Sequence, residues 1–188
     1  MINNNFLQEA NLLDMSKEIF NSVVDENLKV ETRFQLLSSK IQDAETVNFI
    51  LADGLGFLNL QSTDSFLNEY INNSINTTFP SSTNVALTTI ATLKNPIEHG
   101  IFGYYMYDKL NYGLINALNW NAENRDLLQA DYFKNQSSVW NIFKESNTYA
   151  SNFQPKNLIN TPLSNFLYEE KSTVPYISQE DLLITLSD

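Results

Sequence analysis

Residues 47–56 of the chain read VNFILADGLG, and this stretch, with TFPSST at 78–83 and EHGIFGY at 98–104, decides the fold. The run at 47–52 is short, apolar on both faces, and followed directly by Asp53 and Gly54. Such a run is typical of a central strand in a parallel sheet. We therefore expect an α/β protein in which a buried strand ends on an acid and a hydroxyl-rich turn leads into a helix at the carboxyl edge of the sheet.

The composition limits the chemistry. A chain of 188 residues with 43% hydrophobic and 12% aromatic residues is sufficient for one ordinary domain. The formal charge of -11, from 22 acids and 11 bases, argues against a nucleic-acid polymer as partner. With no cysteine and one histidine, a metal ion must be held mainly by carboxylate and hydroxyl oxygens.

The termini and hydropathy predict a cytoplasmic protein with no membrane partner. Residues 1–6, MINNNF, lack the basic start and apolar run of a secretory signal, and no apolar run approaches membrane-spanning length. The sequence leaves the oligomeric state undetermined.

Helical and extended patterns alternate along the chain. We predict a helical lead-in over residues 1–45 and an α/β part over 46–188. The predicted elements are an amphipathic helix over 6–20, the strand at 47–52, a crossover helix over 65–75, a short strand at 76–79, a helix over 84–93 that begins near Ser82 or Thr83, a β-hairpin within 104–120, a helix after Ser137 or Ser138, a strand at 148–153, a helix over 162–168 and a tail helix after a capping box at Ser178 and Asp181.

Three residues are candidates for chemistry, and each also has a structural interpretation. Asp53 is a candidate metal ligand at a strand end, or an ordinary turn residue. Thr83 is a candidate nucleophile at a helix start, where free backbone N–H groups favour a phosphate, or a helix cap. His99, the only histidine, precedes Gly100 in a turn, and we expect a structural imidazole bonded to nearby backbone.

Taken together, these residues resemble the type I phosphodiesterase/nucleotide pyrophosphatase family of the alkaline phosphatase superfamily. The matching pieces are Asp53-Gly54, the hydroxyl-rich turn at 79–83, Ala91-Thr92, and Pro96 with the 98–100 turn, in the family's order and spacing. The resemblance extends through residues 138–140, 154–155 and 161–164, which are similar to the bacterial branch of the family.

This resemblance implies a three-layer α/β/α sandwich with a mainly parallel sheet and a site of two divalent metal ions, usually Zn²⁺. It implies that Asp53 is a metal ligand and that Thr83 is both metal ligand and nucleophile, forming a phospho-enzyme. The substrate would be a small phosphate ester or a nucleotide. Two positions depart from the family: Tyr104 stands where eukaryotic members have a phosphate-binding asparagine, and Leu93 stands where glycine is usual. Tyr104 is therefore a candidate substrate-binding residue, or a packing residue.

The family completes its metal site with aspartates and histidines downstream of the nucleophile, whereas this chain reaches Asp188 with His99 as its one imidazole. We therefore expect the sequence to be the N-terminal portion of a longer enzyme, incomplete at the C-terminus and inactive alone. Three alternatives stay open: a sister hydrolase of phosphate monoesters, phosphonates or sulfate esters; a non-catalytic binding protein that retains half of the fold; and an α/β domain with accidental motifs.

Overall fold

The computed structural model describes residues 9–35, 37, 41, 44–71, 73–109, 113–118, 121–122, 137–168 and 170–187. The chain divides into two units, Met1–Thr77 and Thr78–Asp188. In the described ranges, none of the helices has the length and apolarity needed to cross a bilayer.

The first unit is built from short helices. They are α1 at Leu12–Asn21, a 3₁₀ helix at Glu26–Leu28, α2 at Phe57–Gln61 and a 3₁₀ helix at Phe66–Tyr70. The buried side of α1 carries Leu12, Leu13 and Phe20. The predicted helix over 6–20 is thus confirmed in its second part, whereas residues 6–8 lie outside the described ranges.

The start of α1 is fixed by polar contacts. The side chain of Asn11 accepts hydrogen bonds from the backbone N–H groups of Leu13 and Asp14, and the Asp14 carboxylate accepts one from the N–H of Asn11, which completes a capping box. Asp14 is buried and also accepts from Arg33, with Nε at 3.1 Å from one carboxylate oxygen and Nη2 at 2.8 Å from the other. The hydrogen bond to Asp14 raises the pKa of Arg33.

We expect Asp14→Ala to lower the free energy of unfolding by about 1–3 kcal/mol, because it removes part of a helix cap and a two-point ion pair between a buried carboxylate and a half-exposed guanidinium. Urea denaturation followed by circular dichroism measures this loss. Glu26→Ala is the matched control, because the pair between Lys29 and Glu26 lies at the surface and its removal should cost less than about 1 kcal/mol. Equal losses in the two variants would contradict the assignment.

The predicted central strand is wrong. Residues 46–52 form no regular secondary structure, and Phe49, Ile50 and Leu51 expose 38%, 80% and 45% of their surface. An apolar run becomes a buried strand only when neighbouring strands take its backbone hydrogen bonds. Among the described residues, no strand pairs with this run.

Two further predictions in the first unit need correction. The crossover helix predicted over 65–75 is a single 3₁₀ helix, Phe66–Tyr70, although Ser65 does cap it by accepting a hydrogen bond from the N–H of Leu67. The short strand predicted at 76–79 is reduced to one isolated parallel bridge between Asn11 and Asn76. Exposed apolar side chains at Phe66 and Tyr70 show why, since the described structure gives this segment little to pack against.

The second unit combines helices with two small sheets. Its elements are α3 at Thr83–Thr92, α4 at Pro96–His99, β1 at Tyr105–Asp108, β2 at Gly113–Asn116, β3 at Asn121–Ala122, α5 at Val139–Glu145, β4 at Asn152–Pro155, α6 at Pro162–Leu167, a 3₁₀ helix at Glu170–Ser172, β5 at Thr173–Tyr176 and α7 at Gln179–Ser187. The helices predicted over 84–93, after Ser138, over 162–168 and after Ser178 are confirmed by α3, α5, α6 and α7. The strand predicted at 148–153 is β4, displaced toward the C-terminus.

The two sheets differ in direction. β1, β2 and β3 form a three-stranded antiparallel sheet, with β1 and β2 inside the stretch predicted as a hairpin. β4 and β5 pair in parallel across α6. The chain therefore has α/β content with small sheets, and the predicted three-layer sandwich stays a prediction.

The core of the second unit gathers around α3. Buried apolar side chains from α3, the turn after α4, the end of β2 and α6 form one cluster: Val85, Ala91, Ile101, Ala117, Leu163 and Leu167. This cluster holds α3 and the turn at 100–104 in one packed body, which matters because the candidate residues of this unit lie on those two segments.

Candidate functional site

Asp53 lies in an exposed turn of the first unit. The turn continues through Gly54, whose φ of +80° is in the left-handed region that favours glycine. The sequence therefore places a carboxylate at an exposed bend, as expected, but the bend does not follow a strand.

Thr83 is the first residue of α3, and Ser82 is the N-cap residue, with extended backbone. The Ser82 side chain makes no capping hydrogen bond, and Thr83 itself is exposed. The start of a ten-residue helix is the positive end of the helix dipole, which favours an anion. The structure thus places Thr83 at the exposed amino end of α3, as the sequence predicted.

Asn84 is a buried residue that the sequence did not single out. It is 1% exposed, accepts a hydrogen bond from the Ser82 hydroxyl at 2.8 Å, and donates through Nδ2 to the carbonyl oxygen of Gly103 at 2.8 Å. The residue beside Thr83 is therefore bonded to the residue beside Tyr104. The sequence gives little signal for this contact, because the buried residues of α3 are polar and apolar alike and the partner of Asn84 lies 19 positions away.

His99 joins the same turn to α3 from the other side. Its Nδ1 accepts from the N–H of Ile101 at 3.1 Å, so Nε2 carries the proton and donates to the Thr89 hydroxyl at 3.0 Å. The ring is 1% exposed, and burial lowers the pKa of His99 to about 4. The prediction of a structural imidazole bonded to nearby backbone is confirmed.

Tyr104 lies at the end of this turn with 43% of its surface exposed. Its carbonyl oxygen accepts from the N–H of Ala117 at 2.8 Å, and its ring packs on Tyr105 with 5.1 Å between centroids. The backbone of Tyr104 is thus fixed on both sides, by the Asn84 contact to Gly103 and by Ala117. Thr83 and Tyr104 belong to one unit and are linked through these contacts.

The second departure from the family pattern has a conformational consequence. Leu93 caps the C-terminus of α3 with a φ of +52°, a left-handed conformation in which glycine is unstrained. This chain therefore keeps the backbone shape that glycine usually provides, although leucine occupies the position.

We expect Asn84→Ala to lower the free energy of unfolding by about 1–3 kcal/mol, because it removes a buried side chain and leaves the half-buried Gly103 carbonyl and Ser82 hydroxyl without their partner. Urea denaturation measures the effect. Asn141→Ala on the exposed side of α5 is the matched control and should change stability by no more than about 0.5 kcal/mol. A loss of unfolding free energy no larger for Asn84→Ala than for Asn141→Ala would contradict the role assigned to the hydrogen bonds of Asn84 with Ser82 and Gly103.

The described residues offer too few donors for a complete metal centre. The Asp53 carboxylate and the Thr83 hydroxyl are oxygen donors of a suitable kind, but both nitrogens of His99 are already bonded. Zinc sites use at least three protein ligands, and in the described part of the chain no group of three histidine, aspartate or glutamate side chains could hold a metal. These residues do not form a metal centre by themselves.

The second unit thus holds an exposed threonine at the start of α3, next to Asn84, which is bonded to the 100–104 turn. A sequence model of the type I phosphodiesterase / nucleotide pyrophosphatase family matches residues 47–182, well over half of the chain. The chain belongs to this family, which confirms the resemblance. No match was found among curated proteins, and none among solved structures.

Proposed function

We propose that the protein is a metal-dependent hydrolase of phosphodiester or nucleotide pyrophosphate bonds with Thr83 as its nucleophile. The observation that carries the proposal is the position of Thr83, exposed at the first residue of α3 and inside the region that matches the family. We further propose that the complete fold is the three-layer α/β/α sandwich of the alkaline phosphatase superfamily.

In the proposed reaction the Thr83 hydroxyl oxygen attacks phosphorus and the bond from phosphorus to the leaving alcohol or phosphate breaks. The hydroxyl proton is lost to solvent, and the leaving oxygen takes a proton from solvent. Water then cleaves the bond between phosphorus and the threonine oxygen, which restores the hydroxyl and releases the phosphate product. The positive end of the α3 dipole favours the negative charge on the phosphoryl oxygens throughout.

The residues around Thr83 supply orientation. Asn84 and His99 hold the 100–104 turn against α3, and this contact fixes the backbone of Tyr104. The Tyr104 phenol is a hydrogen-bond donor, and we propose that it contacts a phosphoryl oxygen in place of the family's asparagine.

Two divalent ions, of which Zn²⁺ is the expected kind, would lower the pKa of the attacking hydroxyl and neutralise phosphate charge. Asp53 and Thr83 are the residues of this chain proposed to contribute ligands, and the remaining ligands come from outside the described set. The protein's substrates are then small phosphate esters or nucleotides.

Substrate profiling tests the proposal. Full-length protein supplied with Zn²⁺ should hydrolyse bis(para-nitrophenyl) phosphate faster than the corresponding monoester or sulfate ester, and EDTA should abolish the activity until Zn²⁺ is restored. A preference for the monoester, a phosphonate or the sulfate ester would show that the protein is a sister hydrolase and not a phosphodiesterase. If all of these esters stayed intact, with Zn²⁺ bound or absent, the non-catalytic alternative would be favoured.

A further inference from the structure

The segment at residues 30–37 of the first unit, described at 30–35 and 37, has no regular secondary structure, and we call it the strap. From Val30 to Gln35 its residues alternate between half-buried and exposed, and none of its described residues is buried. An extended segment without a neighbouring strand lacks the ladder of backbone hydrogen bonds that holds a sheet together. The strap therefore has to be held by other contacts.

Polar side chains of α1 supply two of these contacts through the backbone of the strap. The Asn21 side chain donates through Nδ2 to the carbonyl oxygen of Val30 at 2.7 Å and accepts through Oδ1 from the N–H of Val30 at 2.8 Å. A carboxylate oxygen of Glu18 accepts from the N–H of Leu37 at 2.6 Å. The strap is thus fastened to α1 near both of its ends.

The third contact is the two-point ion pair between Arg33 and Asp14, with nitrogen to oxygen distances of 3.1 and 2.8 Å. Asp14, Glu18 and Asn21 are spaced by four and three residues, so they share one face of α1. The two carboxylates on this face are buried, at 3% and 5% exposure. The strap therefore closes over a polar, acidic face of the helix.

α1 itself is held from another side. Helical spacing places the buried side chains of Leu12, Leu13 and Phe20 away from the face that carries the three polar contacts. The N–H of Leu12 also donates to the carbonyl oxygen of Asn76 at 2.8 Å. Buried apolar surface is the larger source of stability, so the helix does not need the strap in order to stay folded.

We propose that the strap opens and closes on α1 as one unit while α1 remains helical. A segment with few buried apolar contacts and no backbone ladder belongs to the least stable part of a fold. Its three contacts break together, because the strap has no internal structure that would keep one of them in place after the others are lost. Opening uncovers the polar face of α1 with its two carboxylates. The proposal does not rest on the hydrolase activity, and its test needs no substrate.

Native-state hydrogen exchange of the ¹⁵N-labelled chain at low urea concentrations tests the proposal. The N–H groups of Val30 and Leu37 report on the strap, and those in the middle of α1 report on the helix. The two strap amides should be protected to the same extent, but at least about tenfold less than the α1 amides. Their exchange should depend little on urea, because opening the strap exposes little surface, whereas exchange in α1 should rise steeply.

Variants test whether the three contacts break together. Arg33→Met, which keeps the apolar stem, should raise the exchange rates of the Val30 and Leu37 amides about three- to tenfold. Asn21→Ala removes only the contact with Val30, yet it should raise the exchange rate of the distant Leu37 amide by about the same factor. Lys29→Met, which breaks a surface ion pair outside the strap, is the control and should leave the Leu37 rate within about twofold of wild type.

An unchanged exchange rate of the Leu37 amide in Asn21→Ala would overturn the proposal, because the contacts would then open separately. The same urea dependence for the strap and for α1 would also overturn it, since the strap would then open only when the helix unfolds. Unprotected Val30 and Leu37 amides in the wild type would show that the strap is not closed. Circular dichroism establishes that each variant is folded, and Arg33→Met and Asn21→Ala serve as independent tests if one of them is not.

Discussion

Thr83→Ala should reduce hydrolysis of an aryl phosphodiester by at least about a thousandfold, because it removes the oxygen that forms the bond to phosphorus. Because of where Thr83 lies, a loss of activity in this variant can be attributed to the missing hydroxyl and not to misfolding. Thr83 is exposed at the first turn of α3, and Ser82, not Thr83, is the N-cap residue. An exposed threonine replaced by the best helix former should alter the free energy of unfolding by no more than about 0.5 kcal/mol.

The measurement uses full-length protein with Zn²⁺, and three variants separate the possible roles of the hydroxyl. Thr83→Ser keeps a nucleophilic oxygen and should retain measurable turnover. Ser81→Ala removes an exposed neighbouring hydroxyl and should leave the rate within about twofold of wild type. Brief reaction of the wild type with the diester, stopped by acid, should leave the peptide that contains Thr83 carrying one aryl phosphate group, since only one of the two aryl groups departs when the threonine oxygen attacks phosphorus. Unchanged hydrolysis by Thr83→Ala would eliminate threonine nucleophilicity while leaving the family membership intact.

The helices around this residue could be predicted because their signals are local. α3 begins after a run of hydroxyl residues and ends just before Asn95 and Pro96, and α6 begins at a proline preceded by Thr161, whose side chain accepts from the N–H of Ser164. Caps and prolines act within a few residues of themselves, so a sequence reveals them without knowledge of the tertiary structure.

The strand predicted at 47–52, which the structure does not show, had no such local signal. Its apolar character is compatible with a buried strand, but a strand exists only through hydrogen bonds to another segment, and the sequence of the run does not specify that segment. Without that partner, Asp53 lies in an exposed turn that does not follow a strand. The prediction for Asp53 therefore depended on a distant segment of the chain. The prediction for Thr83 did not, because the start of α3 is marked by residues close to it.

The hydrogen bond from Asn84 to Gly103 is likewise a contact that the sequence could not predict. Asparagine in the first turn of a helix has ordinary local explanations, and only the fold brings the Gly103 carbonyl to its side chain. The motif residues were visible in the sequence, whereas the contact that holds two of their segments together was not.

The free energy of unfolding should fall as the pH decreases from about 6.5 to about 4, because burial keeps His99 neutral in the folded chain. Burial lowers its pKa to about 4 in the folded chain, against the opposing effects of a backbone hydrogen bond and the negative charge of Glu98. In the unfolded chain the pKa returns to about 6.5. Between these values the unfolded chain binds a proton that the folded chain does not, so stability is complete above about pH 6.5 and decreases as the pH falls toward about 4.

The expected loss from this one group is about 3 kcal/mol across that range, and a comparison with His99→Gln isolates it. Glutamine can still donate to the Thr89 hydroxyl but does not titrate, and the 22 acids of the chain titrate in both proteins and cancel in the difference. Urea denaturation at intervals from about pH 7.5 to pH 4 gives the two unfolding free energies. The wild type should be the more stable protein near pH 7, because it keeps both bonds of the imidazole, and its advantage should vanish or reverse near pH 4. A difference between the two proteins that stayed constant over this range would mean that His99 is not held neutral by burial, and the contact between the 100–104 turn and α3 would then need a different explanation.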